Sequence, residues 1–249
     1  MNDPRAYESI ELCLLAGKVM LQSGAETYRV EDTMSRMAAA LGLPNSHSYV
    51  TPTGIIFSVD GAEPAKLIRI KERTTDLQKV TSVNSISRSL VSGQISPSEA
   101  RQQLQEIELA KHAFPVWLHI VAAAVASGSF LIMFGGGWND ALPAFVCGGL
   151  GFSSFLFSHR LVEVKFFSEL SAAFLIGMLA FLFHSLQLGA EVDKIIIASV
   201  MPLVPGLLIT NAVRDLMAGH LVSGLSRGAD AFLTAFAIGT GIALVFTLF

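Results

Sequence analysis

The sequence predicts a membrane protein, with an N-terminal soluble α+β domain over residues 1–113 followed by a five-helix transmembrane bundle over 114–249. Three observations carry this. The 249 residues are 52% hydrophobic and only 15% charged. Charge is segregated: residues 1–115 hold 12 of the 17 Lys and Arg and 13 of the 20 Asp and Glu. Beyond them lie five apolar runs, at about 116–134, 141–157, 170–188, 195–213 and 229–249. Each is long enough, or nearly so, to cross about 30 Å of hydrocarbon, which takes roughly 17–25 residues.

In chain order, Asp3 or Pro4 opens a first helix reaching about residue 23, with Ile10, Leu14, Gly17 and Leu21 broadly on one face and Gly24 ending it. A second helix, about 26–41, sets Val30, Met34, Met37 and Leu41 at helical spacing and stops at Gly42 and Pro44. Strand-like stretches follow at 48–51, 54–59 and 65–71. Asp60-Gly61 marks a turn, and the alternation Leu67-Ile68-Arg69-Ile70-Lys71 predicts a sheet with one solvated face. Helices over 77–92 and 96–113 complete the domain. The second opens on Ser96-Pro97-Ser98-Glu99, a Ser cap with Pro at the first position and Glu at the third. Asp3, Glu8 and Glu11 stand where a signal peptide needs a basic and then an apolar region, so a cytoplasmic domain is expected.

Basic residues orient the spans. The 135–140 connection has no Lys or Arg, 158–169 has Arg160 and Lys165, 189–194 has Lys194 beside two acids, and 214–228 has Arg214 and Arg227. This bias puts the N-terminus in the cytoplasm and the C-terminus outside. Ala124 and Gly128 in the first span, and Ala231, Ala235, Gly239 and Ala243 in the fifth, form small-residue faces expected to bring helices close together.

The fourth run is interrupted by Pro202-Leu-Val-Pro-Gly206. Both prolines lack an N–H and clash with the preceding turn, while Gly206 permits unusual backbone. At about 1.5 Å per residue from Lys194, the break lies roughly 12–18 Å deep, near the midplane. Backbone groups freed there must be satisfied by protein or by a polar cavity, and secondary transporters hold substrates at such breaks. A half-helix after Gly206 would aim its positive end at a carboxylate. The substrate-binding candidates are Pro202, Pro205, Gly206, Thr210, Asn211, Arg214 and Asp215. Thr210 and Asn211 serve a neighbouring helix equally well, and Arg214 and Asp215 fit entry, gating or helix anchoring.

His184, His220, Arg227 and Asp230 are candidates for proton coupling or gating. A histidine titrates near neutrality, and an acid at the entry of a span is expensive to place there without a role. Satisfaction at the interface and helix capping are the competing explanations. The composition of 215–228 fits a loop, an interfacial helix or a re-entrant segment. Gly24, Glu26, Thr27, Arg29 and Glu31 form a polar motif at a helix start, suited to docking or ligand sensing, or to a capping and ion-pair network.

Cys13 and Cys147 suggest neither a disulfide framework nor a metal site. No G-x-S-x-G, H-E-x-x-H or phosphate loop occurs, so no catalytic residue, cofactor or enzyme activity is expected. The net charge of −3 weighs against nucleic acid as a partner.

Two blocks resemble the threonine/serine exporter family, in its short split form. The first is Ser23-Gly-Ala-Glu-Thr-Tyr-Arg-Val-Glu-Asp-Thr-Met34, followed by Leu41-Gly-Leu43 and residues 53–58. The second runs from Pro202-Leu-Val-Pro-Gly206 through Asn211, Arg214, Asp215, Gly219, Ser223-Gly224 and Arg227. With the order of the domains, the resemblance covers nearly the whole chain. It implies ion-gradient-driven export of small carboxylate metabolites across the bacterial inner membrane. The cargo would be threonine and serine, or a C4-dicarboxylate such as succinate. Long members carry a second hydrophobic block that this chain lacks, which implies a separate small membrane subunit. Membrane lipids and self-association of the chain are the other expected partners. The competing class is a non-transporting membrane scaffold or sensor whose soluble domain recruits a partner.

Overall fold

A computed structural model of the chain describes residues 4–60, 64–110, 114–162, 164 and 166–249. Asp3, Gly61, Lys165 and the end of the 96–113 helix lie outside them. The chain forms two compact units, Met1–His112 with Leu208–Gly228, and Ala113–Leu207 with Ala229–Phe249.

In the first unit, helix α1 (Pro4–Gln22) is apolar on nearly every side. Leu12, Cys13, Leu14, Ala16, Val19, Met20 and Leu21 are all buried, the pattern of a helix at the centre of a core. Helix α2 (Thr27–Ala40) covers it through Val30, Met34, Met37 and Ala38. A Cβ on Gly17 would overlap the Met34 Sδ, so the helices touch where that side chain is missing. Strands β1 (Ser46–Thr51), β2 (Gly54–Val59) and β3 (Lys66–Arg69) form an antiparallel sheet in that order. Val50, Ile55 and Phe57 face the core, while Tyr49, Ile56 and Leu67 face outward. Strand β3 is shorter than the expected 65–71, although the Ile70 N–H still donates to the Thr53 carbonyl at 2.9 Å. Helix α3 (Leu77–Val91) is capped by Asp76, whose carboxylate accepts from the Lys79 N–H. Helix α4 (Pro97–Leu109) opens on the Ser96/Glu99 capping box its sequence predicts.

The second unit begins with α5 (Val116–Met133), α6 (Trp138–Leu161) and α7 (Phe167–Ser185). Missing side chains set its seams. A Cβ on Gly148 would overlap the Ser127 side chain, and one on Gly151 would overlap Ile176. Helix α6 thus lies against α5 on one side and α7 on the other through close backbone approach. It runs further at both ends than the expected 141–157.

Helix α8 (Val192–Val200) passes into a 3-10 turn at Met201–Leu203. Val204 is extended at φ −64° and ψ 130°, and α9 (Gly206–Met217) starts anew. The fourth run is therefore broken at the prolines, bending by 63°. Helix α10 (Leu221–Phe246) follows. The expected 214–228 connection shrinks to residues 218–220, because Gly219 at φ 87° closes α9. The Gly219 and His220 N–H groups bond back to the Leu216 and Asp215 carbonyls, the Schellman pattern that ends helices sharply.

The C-terminal part of α10 packs on α7, where a Cβ on Gly177 would overlap Val245 and one on Gly241 the Leu170 carbonyl. Within the chain, the small-residue stripe of the fifth run is not the contact face beyond Ala231. Ala235, Gly239 and Ala243 are exposed, and the inward face is Ala231, Thr234, Ile238, Gly241 and Val245. Helical phase put that stripe outside once Gly241 became the contact. Among the described residues, α5, α6, α7 and α10 are long and apolar enough to cross a membrane, and the bent α8–α9 pair makes a fifth if it counts as one span.

Candidate functional site

The site lies in the first unit, where the short link from α1 to α2 meets residues 208–228. Gly24, at φ 90°, turns the chain. The Gly24 and Ala25 carbonyls and the first α2 amides have no helical partners there and need others. Asn211 Nδ2 donates to the Gly24 carbonyl at 2.9 Å, and Arg227 Nη2 donates to the Ala25 carbonyl at 2.8 Å. The N-cap residue of α2, Glu26, makes no side-chain cap. Asp215 caps the helix in its place. Its carboxylate accepts from the Thr27 N–H at 2.9 Å and the Thr27 hydroxyl at 3.0 Å, where an anion also meets the positive end of the helix dipole.

The tight α9–α10 hairpin makes this possible. It sets Asp215, in the last turn of α9, beside Arg227 on α10, with Nε 3.4 Å from Oδ2 and both side chains almost fully buried. Ser223 donates to the Val50 carbonyl at 3.2 Å, and the Val50 N–H donates to Glu31 at 2.9 Å. The other Glu31 oxygen faces His220 Nε2 at 3.9 Å. Glu26 receives Arg214 on one carboxylate oxygen, while Arg29 Nε stands 3.3 Å from the other.

Two carboxyls respond in opposite directions. Burial pushes Glu26 upward, but its own backbone N–H, the Arg214 hydrogen bond and the charges of Arg29 and Arg214 outweigh it and hold the carboxyl below its ordinary 4.5. Burial holds Glu31 above its ordinary value. The Asp215 charge adds to that, and the Val50 N–H and His220 oppose it. The cluster therefore keeps Glu26 as an anion and eases protonation of Glu31.

The structure brings together two groups of residues that are far apart in the chain: Gly24, Glu26, Thr27, Arg29 and Glu31, and Asn211, Arg214, Asp215, His220 and Arg227. Thr210 lies on the exposed side of α9. Pro202, Pro205 and Gly206 form the break itself, and nothing stands within 4 Å of where a Gly206 Cβ would be. His184 and Asp230 belong to the second unit, where His184 Nδ1 lies 3.1 Å from the Gly189 carbonyl. Sequence reasoning missed Ser223 as a member of the cluster. It also missed Asp140, a buried acid of the second unit that accepts the Ala190 N–H at 2.6 Å. An acid flanked by apolar runs was the available signal for Asp140; Ser223 stood in the second motif block, but nothing there pointed to its contact with Val50. Among the described residues, no three or more His, Cys, Asp or Glu side chains gather in a way that could hold a metal ion.

Comparison with known proteins agrees with the two blocks. A family model described as "Putative threonine/serine exporter" matches residues 11–249. The "Probable succinate transporter subunit YjjP" of Klebsiella aerogenes is 26% identical over 241 residues, covering 95% of this chain and 92% of that one. The "Threonine/serine exporter" of Corynebacterium glutamicum is 26% identical over 246 residues, 94% of this chain but 50% of its own length. The "Probable threonine/serine exporter" of Mycobacterium tuberculosis is 24% identical over 240 residues, 94% of this chain and 45% of its own length. The chain thus spans nearly all of the short relative and about half of the long ones. No solved structure matches it. With the family model covering all but the first ten residues, this multi-pass membrane protein belongs to the threonine/serine exporter family.

Proposed function

We propose that the chain is one subunit of a secondary-active exporter of small carboxylate metabolites in the bacterial inner membrane. The cargo is threonine and serine, or a C4-dicarboxylate such as succinate. A second small membrane subunit completes the path, with the N-terminal α+β domain in the cytoplasm and the C-terminus outside. The observation that carries this is the break in the fourth apolar run. Pro202, Pro205 and Gly206 interrupt it, and α9 begins anew at Gly206 with the positive end of its dipole at the break. That end attracts a carboxylate, and Thr210 stands one turn along.

Asn211, Arg214 and Asp215 act as the gate, because their side chains hold Gly24, Glu26 and Thr27. Arg227 and His220 follow the same hairpin, and protonation of Glu31 opposite His220 would couple the gate to protons. His184 and Asp230 are the coupling candidates of the second unit. The exposed Ala235–Gly239–Ala243 stripe suits close packing by the second subunit. YjjP is named a subunit, which supports this assembly.

The test is flux of labelled succinate, threonine and serine in vesicles holding both chains. Gradient-dependent movement of at least one is expected, and none in any combination would remove the proposal. The engagement of Asn211, Arg214 and Asp215 also favours a second reading, a non-transporting scaffold or sensor whose N-terminal domain recruits a partner. Unchanged flux in variants at Pro205, Asn211 and Asp215, with loss on deleting residues 1–110, would favour it.

A further inference from the structure

Away from the α9 cluster, helices α2 and α3 face each other across a cleft of about 480 Å³, within the range of ligand pockets, about 300–1,000 Å³. Its walls are polar where a helix–helix seam is ordinarily apolar. On α2 the lining repeats as Arg29, Asp32-Thr33 and Arg36; on α3 it repeats as Asn84, Ser87-Arg88 and Val91. Both follow the three-to-four residue spacing that puts side chains on one helical face. Of the lining, Thr33 and Ser87 are buried, Arg29 is half-buried, and Arg36 and Arg88 are exposed.

Three cations face one carboxylate of the lining, Asp32, which pairs with Arg36 at 2.9 Å. Arg29 shares the Glu26 carboxylate with Arg214. Arg88, in the last turn of α3, is exposed and lines the cleft, so its donors are open to whatever enters. Planar guanidinium forks match carboxylates in pairs of parallel hydrogen bonds, while Asn84 and Ser87 offer neutral polar groups between them.

We infer that this α2–α3 cleft is a binding site for a small dicarboxylate, held by Arg88 and Arg36 at its ends with Arg29 beside them. The site is separate from the break in the fourth run. It rests on the export reading only for choosing dicarboxylates over other oxyanions. It also has a route to the gate: a ligand carboxylate that draws Arg29 away leaves Glu26 with Arg214 alone.

The experiment is calorimetric titration of the full chain in lipid nanodiscs, without gradient or second subunit, using succinate, threonine and inorganic phosphate. Because no transport is read, failed export leaves the result standing, and failed binding leaves export standing. Saturable succinate binding is expected, weaker by about tenfold or more in Arg88→Gln and in Arg36→Gln. Asp32→Asn should bind succinate more tightly, since it removes the competing carboxylate; loss of fold could not mimic that gain. Arg101→Gln, on α4, should bind as the unaltered chain does. Absence of saturable succinate binding overturns the inference, as does binding indifferent to both arginine variants. Phosphate or threonine binding as tight as succinate overturns the dicarboxylate assignment.

Discussion

Asp215 does two jobs with one carboxylate, capping α2 and neutralising the buried Arg227. Removing one member of a buried ion pair strands the other, at about 3–5 kcal/mol. Asp215→Ala should destabilise the first unit by that amount in chemical unfolding, and Asp215→Asn by less, since an amide oxygen can still accept from Thr27. Unfolding of the Ala variant at the unaltered chain's midpoint would refute this role. Glu26 makes a pH prediction. Its folded value is lowered, so its contribution is complete above the ordinary 4.5 and is lost as pH falls through the lowered value. Glu31 works the other way: its value is raised, so its contribution is complete below 4.5 and fades as pH rises through the raised value. Glu26→Gln should therefore flatten the loss of thermal stability on acidification below pH 4.5; an acid limb as steep as before would count against it. None of these pairings is legible in the sequence, since Thr27 and Asp215 are 188 residues apart.

Individual elements were more readable. Local signals act within a few residues, so the Ser96/Glu99 box, the Pro202–Gly206 break and the ends of α1 and α2 all fall close to where the sequence puts them. The α9–α10 hairpin was left open between a loop, an interfacial helix and a re-entrant segment because 215–228 is only mildly polar, while Gly219 compresses the turn to three residues. At φ 87° an L side chain is strained by about 1–2 kcal/mol. Gly219→Ala should lower stability by roughly that much, and protease cleavage near 218–220 should rise; a neutral substitution would show that the turn does not need glycine. In the second unit, Gly151→Val would drive a branched side chain into Ile176. Overpacking of this kind costs about 1–3 kcal/mol, read as a lower thermal midpoint in detergent.

For the whole molecule, Arg214 separates gating from stability. It is half-exposed, and the buried Glu26 it pairs with keeps Arg29 as a second partner, so its loss should change stability by only about 1 kcal/mol. If α9 gates the path, Arg214→Gln should cut vesicle flux by about tenfold or more with the thermal midpoint nearly unchanged; full flux would place the gate elsewhere. Composition and spacing were sufficient for a multi-pass chain with strands near its N-terminus and for most of its elements, because hydropathy and helix period act along the chain; the exporter resemblance rests instead on two motif blocks, residues 23–34 and 202–227. Which residues belong to one unit was settled by packing. Leu208–Gly228, adjoining apolar runs, joins the first unit because the amides and carbonyls around Gly24–Thr27 need partners, and Asn211, Asp215 and Arg227 supply them. Hydrogen bonds between such distant residues leave no period in the sequence; they exist only once the chain has folded back on itself.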